Sequence, residues 1–214
     1  VGKPVVTQAT WVRQVEARPQ LVMRCYYGPA EGVKQMIEEL QDVARPVRGV
    51  IRLGNGAVAL GFQNERGRWL RAFECGGMLL VEGAEGQPYR LVVENKTDVI
   101  LEVLPSVDGL DLQSGTALEL KQRGRMMPPR GKTVFDAISG ADGKAAPLKF
   151  RAVKGTQALY QISSTGTLGA VQLAVFLGQG TDTFDARPPL ARRNRARSFP
   201  DRQFEPMLLP YQYR

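Results

Sequence analysis

Histidine is absent from this 214-residue chain. That absence removes Ser-His-Asp and Cys-His catalysis, and zinc or haem held through imidazole. Cysteine occurs only at Cys25 and Cys75, too few for a cysteine-only zinc or iron–sulfur site within one chain. Long apolar runs are also lacking. The best, between Gly169 and Gly178, is about half the roughly 18 residues of a membrane-spanning helix and is interrupted by Gln172. No signal-type segment is visible, and the first residue is Val1 rather than Met. A processed N-terminus accounts for both, as does a sequence that starts at an arbitrary point. Processing, and with it an extracytoplasmic location (periplasm or cell surface), is the expectation.

What is present points to β structure. Hydrophobic residues make up 43% of the chain, enough for a packed core at this length. The 23 Gly and 14 Pro fall largely between short apolar runs, a punctuation that suits strands and turns better than a helix bundle. Charge is unevenly spread. Of the net +8, residues 186–214 supply +5 through seven Arg against Asp201 and Glu205, and the other 185 residues carry +3.

Along the chain, strands are expected around Val12–Glu16 and Leu21–Tyr26. The period then changes. Val33, Met36, Ile37, Leu40 and Val43 form one apolar stripe, which predicts an amphipathic helix over about 30–43, entered through Pro29 and stopped at Arg45-Pro46. From Val50 the two-residue period returns. Val50–Leu53, Ala57–Leu60 and Trp69–Cys75, joined by Gly54-Asn55-Gly56 and Asn64-Glu65-Arg66-Gly67, read as an antiparallel meander. Further strands are expected at Met78–Val81, Tyr89–Glu94, Val99–Leu104, around Leu118 and Leu120, and at Val134–Ile138, Leu148–Val153, Leu159–Ile162 and Ala170–Leu177. There is no internal repeat. The fold expected is mainly β, with β-sandwich-like antiparallel sheets and one helix in a domain over 1–180, followed by an extended Pro/Arg-rich arm over 181–214.

Strand alternation aims both thiols at apolar surroundings, Cys25 beside Leu21 and Met23, and Cys75 beside Trp69 and Phe73. They either form a disulfide or remain two buried free thiols. Among carboxylates, Asp108 and Asp111 are the pair best spaced to flank a sugar or ligate a cation, and Glu38 and Glu39 are adjacent. A calcium loop needs further acids that are missing, so Asp108-Gly109 reads as a turn whose side chain bonds its own backbone. The Gly clusters at 54–56, 76–77 and 83–86 do not open a helix after a strand, so they are turns rather than phosphate loops. Asn95-Lys96-Thr97 has the form of a glycan acceptor and also of a plain turn, which is preferred. Met126-Met127 is a poor copper site without Cys or His nearby. No metal, cofactor or small-molecule substrate is expected.

Residues 89–115, YRLVVENKTDVILEVLPSVDGLDLQSG, contain a strand ending in Asn, a polar turn, and a strand closing on Ser106-Val107-Asp108-Gly109. Together with Arg123–Lys132 and the strand Gly166–Phe176, this resembles a bacterial extracytoplasmic β-domain family of unknown function, over about residues 80–178. The resemblance implies an extracytoplasmic, mainly β domain. It implies no reaction, ligand or catalytic residue.

The C-terminal segment is the remaining distinctive feature. Pro188, Pro189, Pro200, Pro206 and Pro210 forbid a continuous helix or a central strand there. Phe199, Phe204, Leu208, Leu209 and Tyr211 lie between them as apolar anchors, behind the cluster Arg192, Arg193, Arg195 and Arg197. Proline lowers the entropy lost on docking, so the segment reads first as an arm that packs on another polypeptide, with a strap across its own domain as a further alternative. The expectation is a non-enzymatic structural or assembly subunit of a larger extracytoplasmic complex, with other protein subunits as partners. The alternative is a polyanion-binding module whose Arg tail meets nucleic acid, anionic lipid of a membrane surface, or cell-wall polymer.

Overall fold

The computed structural model describes residues 12–14, 18–140, 144–150 and 169–179. In chain order they form β1 (Leu21–Gly28), α1 (Ala30–Leu40), β2 (Arg45–Val47), β3 (Val50–Leu53), β4 (Val58–Asn64), β5 (Ala72–Cys75), β6 (Met78–Glu82) and β7 (Tyr89–Asn95). Then come β8 (Leu101–Val107), β9 (Leu110–Asp111), β10 (Arg125–Met127), β11 (Lys132–Phe135), β12 (Ala137–Ser139), β13 (Ala145–Pro147) and β14 (Ala170–Leu177). The chain is mainly β with a single helix among the described residues, as its composition demands.

The strands make two facing layers. The larger sheet runs β10-β8-β14-β1-β6-β5-β2, with β9 attached to β8, and the smaller runs β11-β7-β4-β3. β12 and β13 form a two-stranded sheet of their own, with Ile138 packed against the interior. All pairings are antiparallel except β1 with β6.

Alternation explains the packing. Met23, Cys25 and Tyr27 of β1, Leu101 and Val103 of β8, and Val171, Leu173 and Val175 of β14 face inward from the larger sheet. Val58, Leu60 and Phe62 of β4, with Leu91 and Val93 of β7, meet them from the smaller one. At roughly 1.5–3 kcal/mol for each well-buried side chain, this interior is the main stabilising term.

The larger sheet is covered on its outer face too. Helix α1 lays Val33 and Met36 on Tyr26 and Leu80, and Leu118 and Leu120 cover Leu104, Ala174 and Phe176. Those strands therefore read as largely apolar runs, broken at Arg24, Glu102 and Gln172, rather than as clean alternation.

Several expectations change in detail. The helix ends at Leu40, because Gln41 adopts a left-handed conformation at φ 49°. Val43 then falls off the stripe and is 73% exposed. The meander is divided between the layers. Gly54-Asn55-Gly56, all at positive φ, closes the β3–β4 hairpin as expected. Trp69, however, pairs with Gln63 of the smaller sheet, whereas β5 crosses into the larger. Leu118 and Leu120 pack against the sheet from outside any strand. The short strands β2, β9, β10 and β13 have too few residues to leave a period in the sequence. Of the strand expected over 12–16, residues 12–14 are described, and there Arg13 forms an isolated bridge to Gly178. Leu159–Ile162 lies outside the described residues.

Candidate functional site

Asp108 and Gly109 have φ of 52° and 79°. They form the two-residue reversal between β8 and β9, with Val107 opposite Leu110. Positive φ at both central residues matches the strand twist and explains the Asp-Gly choice. The turn is as expected, but its carboxylate looks away from it. Asp108 Oδ1 accepts from the Tyr27 hydroxyl at 3.1 Å and from the Gly169 N–H at 2.7 Å. It thereby ties the hairpin tip to the ends of β1 and β14. Asp111 makes the local contacts instead, accepting from Ser114 Oγ at 2.7 Å and the Ser114 N–H at 3.0 Å.

A cavity of about 450 Å³ opens beside Asp108, lined also by Glu85, Leu110, Ile138, Lys149 and Phe150. Its floor is aromatic. Tyr89 and Phe150 stack with centroids 4.4 Å apart, and Tyr27 lies 4.9 Å from Phe150. Gly83 is required there, since a Cβ would meet the Phe150 ring at 2.2 Å. Asp108 is held as an acceptor by β1 and β14, and Glu85 and Lys149 stand exposed. No group of three Asp, Glu or Cys side chains placed to hold a metal ion occurs among the described residues.

A polar centre that periodicity did not reveal sits on the outer face of the larger sheet. Glu102 of β8 is fully buried, and Arg13 is 4% exposed. Arg13 Nε donates to Oε2 at 2.7 Å and Nη2 to Oε1 at 2.8 Å. Its guanidinium also donates to the carbonyls of Leu120 and Gln122 and lies 3.8 Å from the centroid of the Phe176 ring. The Gly124 N–H donates to the same carboxylate. Burial pushes the Glu102 carboxyl up. The Arg13 fork, the Gly124 N–H and the charges of Arg13 and Arg123 outweigh it and hold the group below the usual range. Such a closed arrangement clamps structure rather than performing chemistry. Its partners lie 89 and 22 residues away in the chain, so no local signal marks it.

The thiols are buried but unbonded. Cys25 pairs with Leu79 of β6 and faces the interior, whereas Cys75 pairs with Met78 and lies under α1 with Phe73. Successive residues of β6 point to opposite faces, so the two sulfurs are on opposite sides of the sheet. The disulfide option is thereby corrected to two free thiols. Burial pushes Cys25 far up. Burial and then the charge of Asp42 push Cys75 up, against a hydrogen bond from its Sγ to the Asp42 carbonyl.

Asn95 is 1% exposed. Its amide donates to the carbonyls of Val99 and Pro128, and its Oδ1 accepts from the N–H and hydroxyl of Thr97. It is a turn-forming residue, as preferred. Met127 fills the interior while Met126 is exposed, so the pair does not converge. Phe199, Phe204, Leu208, Leu209, Tyr211, Arg192, Arg193, Arg195 and Arg197 lie outside the described residues. No described helix is long and apolar enough to cross a membrane.

The chain matches no protein-family model, no curated protein and no solved structure.

Proposed function

We propose that the chain is a non-enzymatic structural or assembly subunit whose C-terminal segment docks on neighbouring subunits of a larger extracytoplasmic complex. The supporting observation is the completeness of the body. Residues between 21 and 177 supply both faces of a two-sheet interior, and a helix and a loop cover the larger sheet. On this reading the anchors Phe199, Phe204, Leu208, Leu209 and Tyr211 pack on another polypeptide. Burying four or five of them at roughly 1.5–3 kcal/mol each offsets the ordering of a proline-stiffened segment. The extracytoplasmic placement rests on the resemblance around Ser106-Val107-Asp108-Gly109.

Removing residues 186–214 should leave a folded body that no longer assembles, read by light scattering and thermal unfolding. A truncated chain that assembles normally, or that unfolds, ends the proposal. The +5 charge of the same segment favours a second reading, binding to a polyanion through Arg192, Arg193, Arg195 and Arg197. Replacing those four by Gln should abolish salt-sensitive polyanion binding under that reading and leave assembly largely intact under the first.

A further inference from the structure

The outer face of the four-stranded sheet carries an indole held in a fixed pose. Register places Gly61 of β4 between Val92 of β7 and Val50 of β3, with Val134 of β11 beyond Val92. The Trp69 ring lies against Gly61 and Gly49. A Cβ on Gly61 would meet Trp69 Cζ3 at 2.7 Å and the Gly49 carbonyl at 2.6 Å, so only glycine lets the ring settle. The hairpin before it is fixed as well. Asn64 Oδ1 accepts the N–H groups of Arg66 and Arg68 at 3.0 Å, and Gly67 has φ 73°. Trp69 nonetheless keeps 41% of its surface exposed, and Val134 42%.

Cations surround this stripe. Arg52 and Lys132 occupy the row on one side, together with Glu94, which is paired with Lys96. Arg90, cross-strand from Gln63, occupies the row on the other side. Arg66 and Arg68 project from the exposed hairpin. Arg52, Arg90 and Lys132 have no carboxylate partner among the described residues. Same-face neighbours along a strand are about 7 Å apart and strands about 4.8 Å apart, so the stripe spans about 14 Å, with Arg52 and Lys132 on either side of Glu94 along one flank and Arg90 on the other.

We infer that this face binds an acidic polysaccharide, a chain of uronate-type sugars whose C–H-rich ring face stacks on Trp69 while its carboxylates meet Arg52, Arg90 and Lys132. Charge decides the class, because an anionic polymer complements this face. The C-terminal segment of a second copy, at +5, is repelled by it. The number of platforms decides between polymers. Single-stranded nucleic acid is held by successive aromatic platforms, whereas among the described residues this face presents one exposed indole, with Val50 half-buried beside Gly61 and Val134 exposed beyond the buried Val92. The inference is independent of the assembly reading.

The test is titration of the full chain with polygalacturonate at low salt. It is followed by indole fluorescence on a Trp11→Phe background, with dextran and poly(dT) in parallel. Polygalacturonate should bind and dextran should not. The R52Q/R90Q/K132Q variant and Trp69→Ala should each weaken binding about tenfold or more, while Trp69→Phe should retain most of it. Gln at positions 192, 193, 195 and 197 should leave it unchanged. Because Arg52 and Lys132 are exposed and Arg90 is half-buried, the charge variant leaves the core intact and decides the matter even if Trp69→Ala fails to fold. No polygalacturonate binding, equal binding by the charge variant, or loss confined to the tail variant would overturn the inference. So would tighter binding of poly(dT), or self-association that Trp69→Phe preserves and polygalacturonate cannot compete.

Discussion

Glu102 lies on the covered face of a central strand, where an unpartnered carboxylate would be costly to desolvate. Its fork with Arg13 compensates for that cost, so removing either partner leaves a buried charge behind. Arg13→Ala and Glu102→Ala should each lower unfolding free energy by about 3–5 kcal/mol in urea melts. Replacing both with apolar residues of similar volume should cost much less. The pH dependence has a definite sign. The folded carboxyl titrates below its ordinary value, so its contribution is complete above the unfolded value and disappears as pH falls through the depressed folded one. Glu102→Gln should therefore flatten the acid limb of the stability profile. A variant whose acid limb matched the wild type would remove this assignment.

At the scale of elements, the two sheets are joined by corners rather than by long loops. The chain passes from β2 to β3 through Arg48-Gly49, and from β10 to β11 through residues 128–131. Pro46 on the outer strand β2 blunts that edge. Asn95 holds the second corner from the opposite direction, because its amide donors reach the Pro128 carbonyl while its oxygen shapes the β7–β8 turn. Asn95→Asp replaces those donors with oxygen facing carbonyls. It should destabilise by about 1–3 kcal/mol or more, measured by denaturant midpoint. With Asn95 and Thr97 both closed off from solvent, expression in a glycosylating host should add no glycan at this site. A mass shift of one glycan on Asn95 would contradict the packing. Helix α1 works at the same scale, with Met36 inside and Val43 stranded past the left-handed Gln41.

For the whole molecule, the larger sheet separates the interior from the apolar layer under α1, and the cysteines lie one in each. Both thiols should resist an aqueous disulfide reagent in the native state and react fully in denaturant. Their raised pKa values keep the nucleophilic thiolate scarce. A reductant should leave the melting temperature unchanged, since there is no bond to break. A two-hydrogen mass deficit in the intact chain would contradict this arrangement.

The sequence by itself determined what local chemistry controls. Missing histidine and scarce cysteine removed whole reaction classes. Short apolar runs between Gly and Pro specified β structure. The entry at Pro29 with the stripe Val33, Met36, Ile37 and Leu40 located the helix, and Gly54-Asn55-Gly56 and Asp108-Gly109 were legible as turns because a positive φ restricts the residue that adopts it. Only the tertiary structure decided which sheet each strand joins, because alternation marks a buried face without naming its partner. It also decided that Cys25 and Cys75 face apart, that Asp108 serves Tyr27 and Gly169, and that Trp69 rests on Gly61. Arg13 and Glu102 make the reason plainest. Neither neighbourhood contains the other charge, and burying both is favourable only once β8, β14 and the 118–124 segment bring them together.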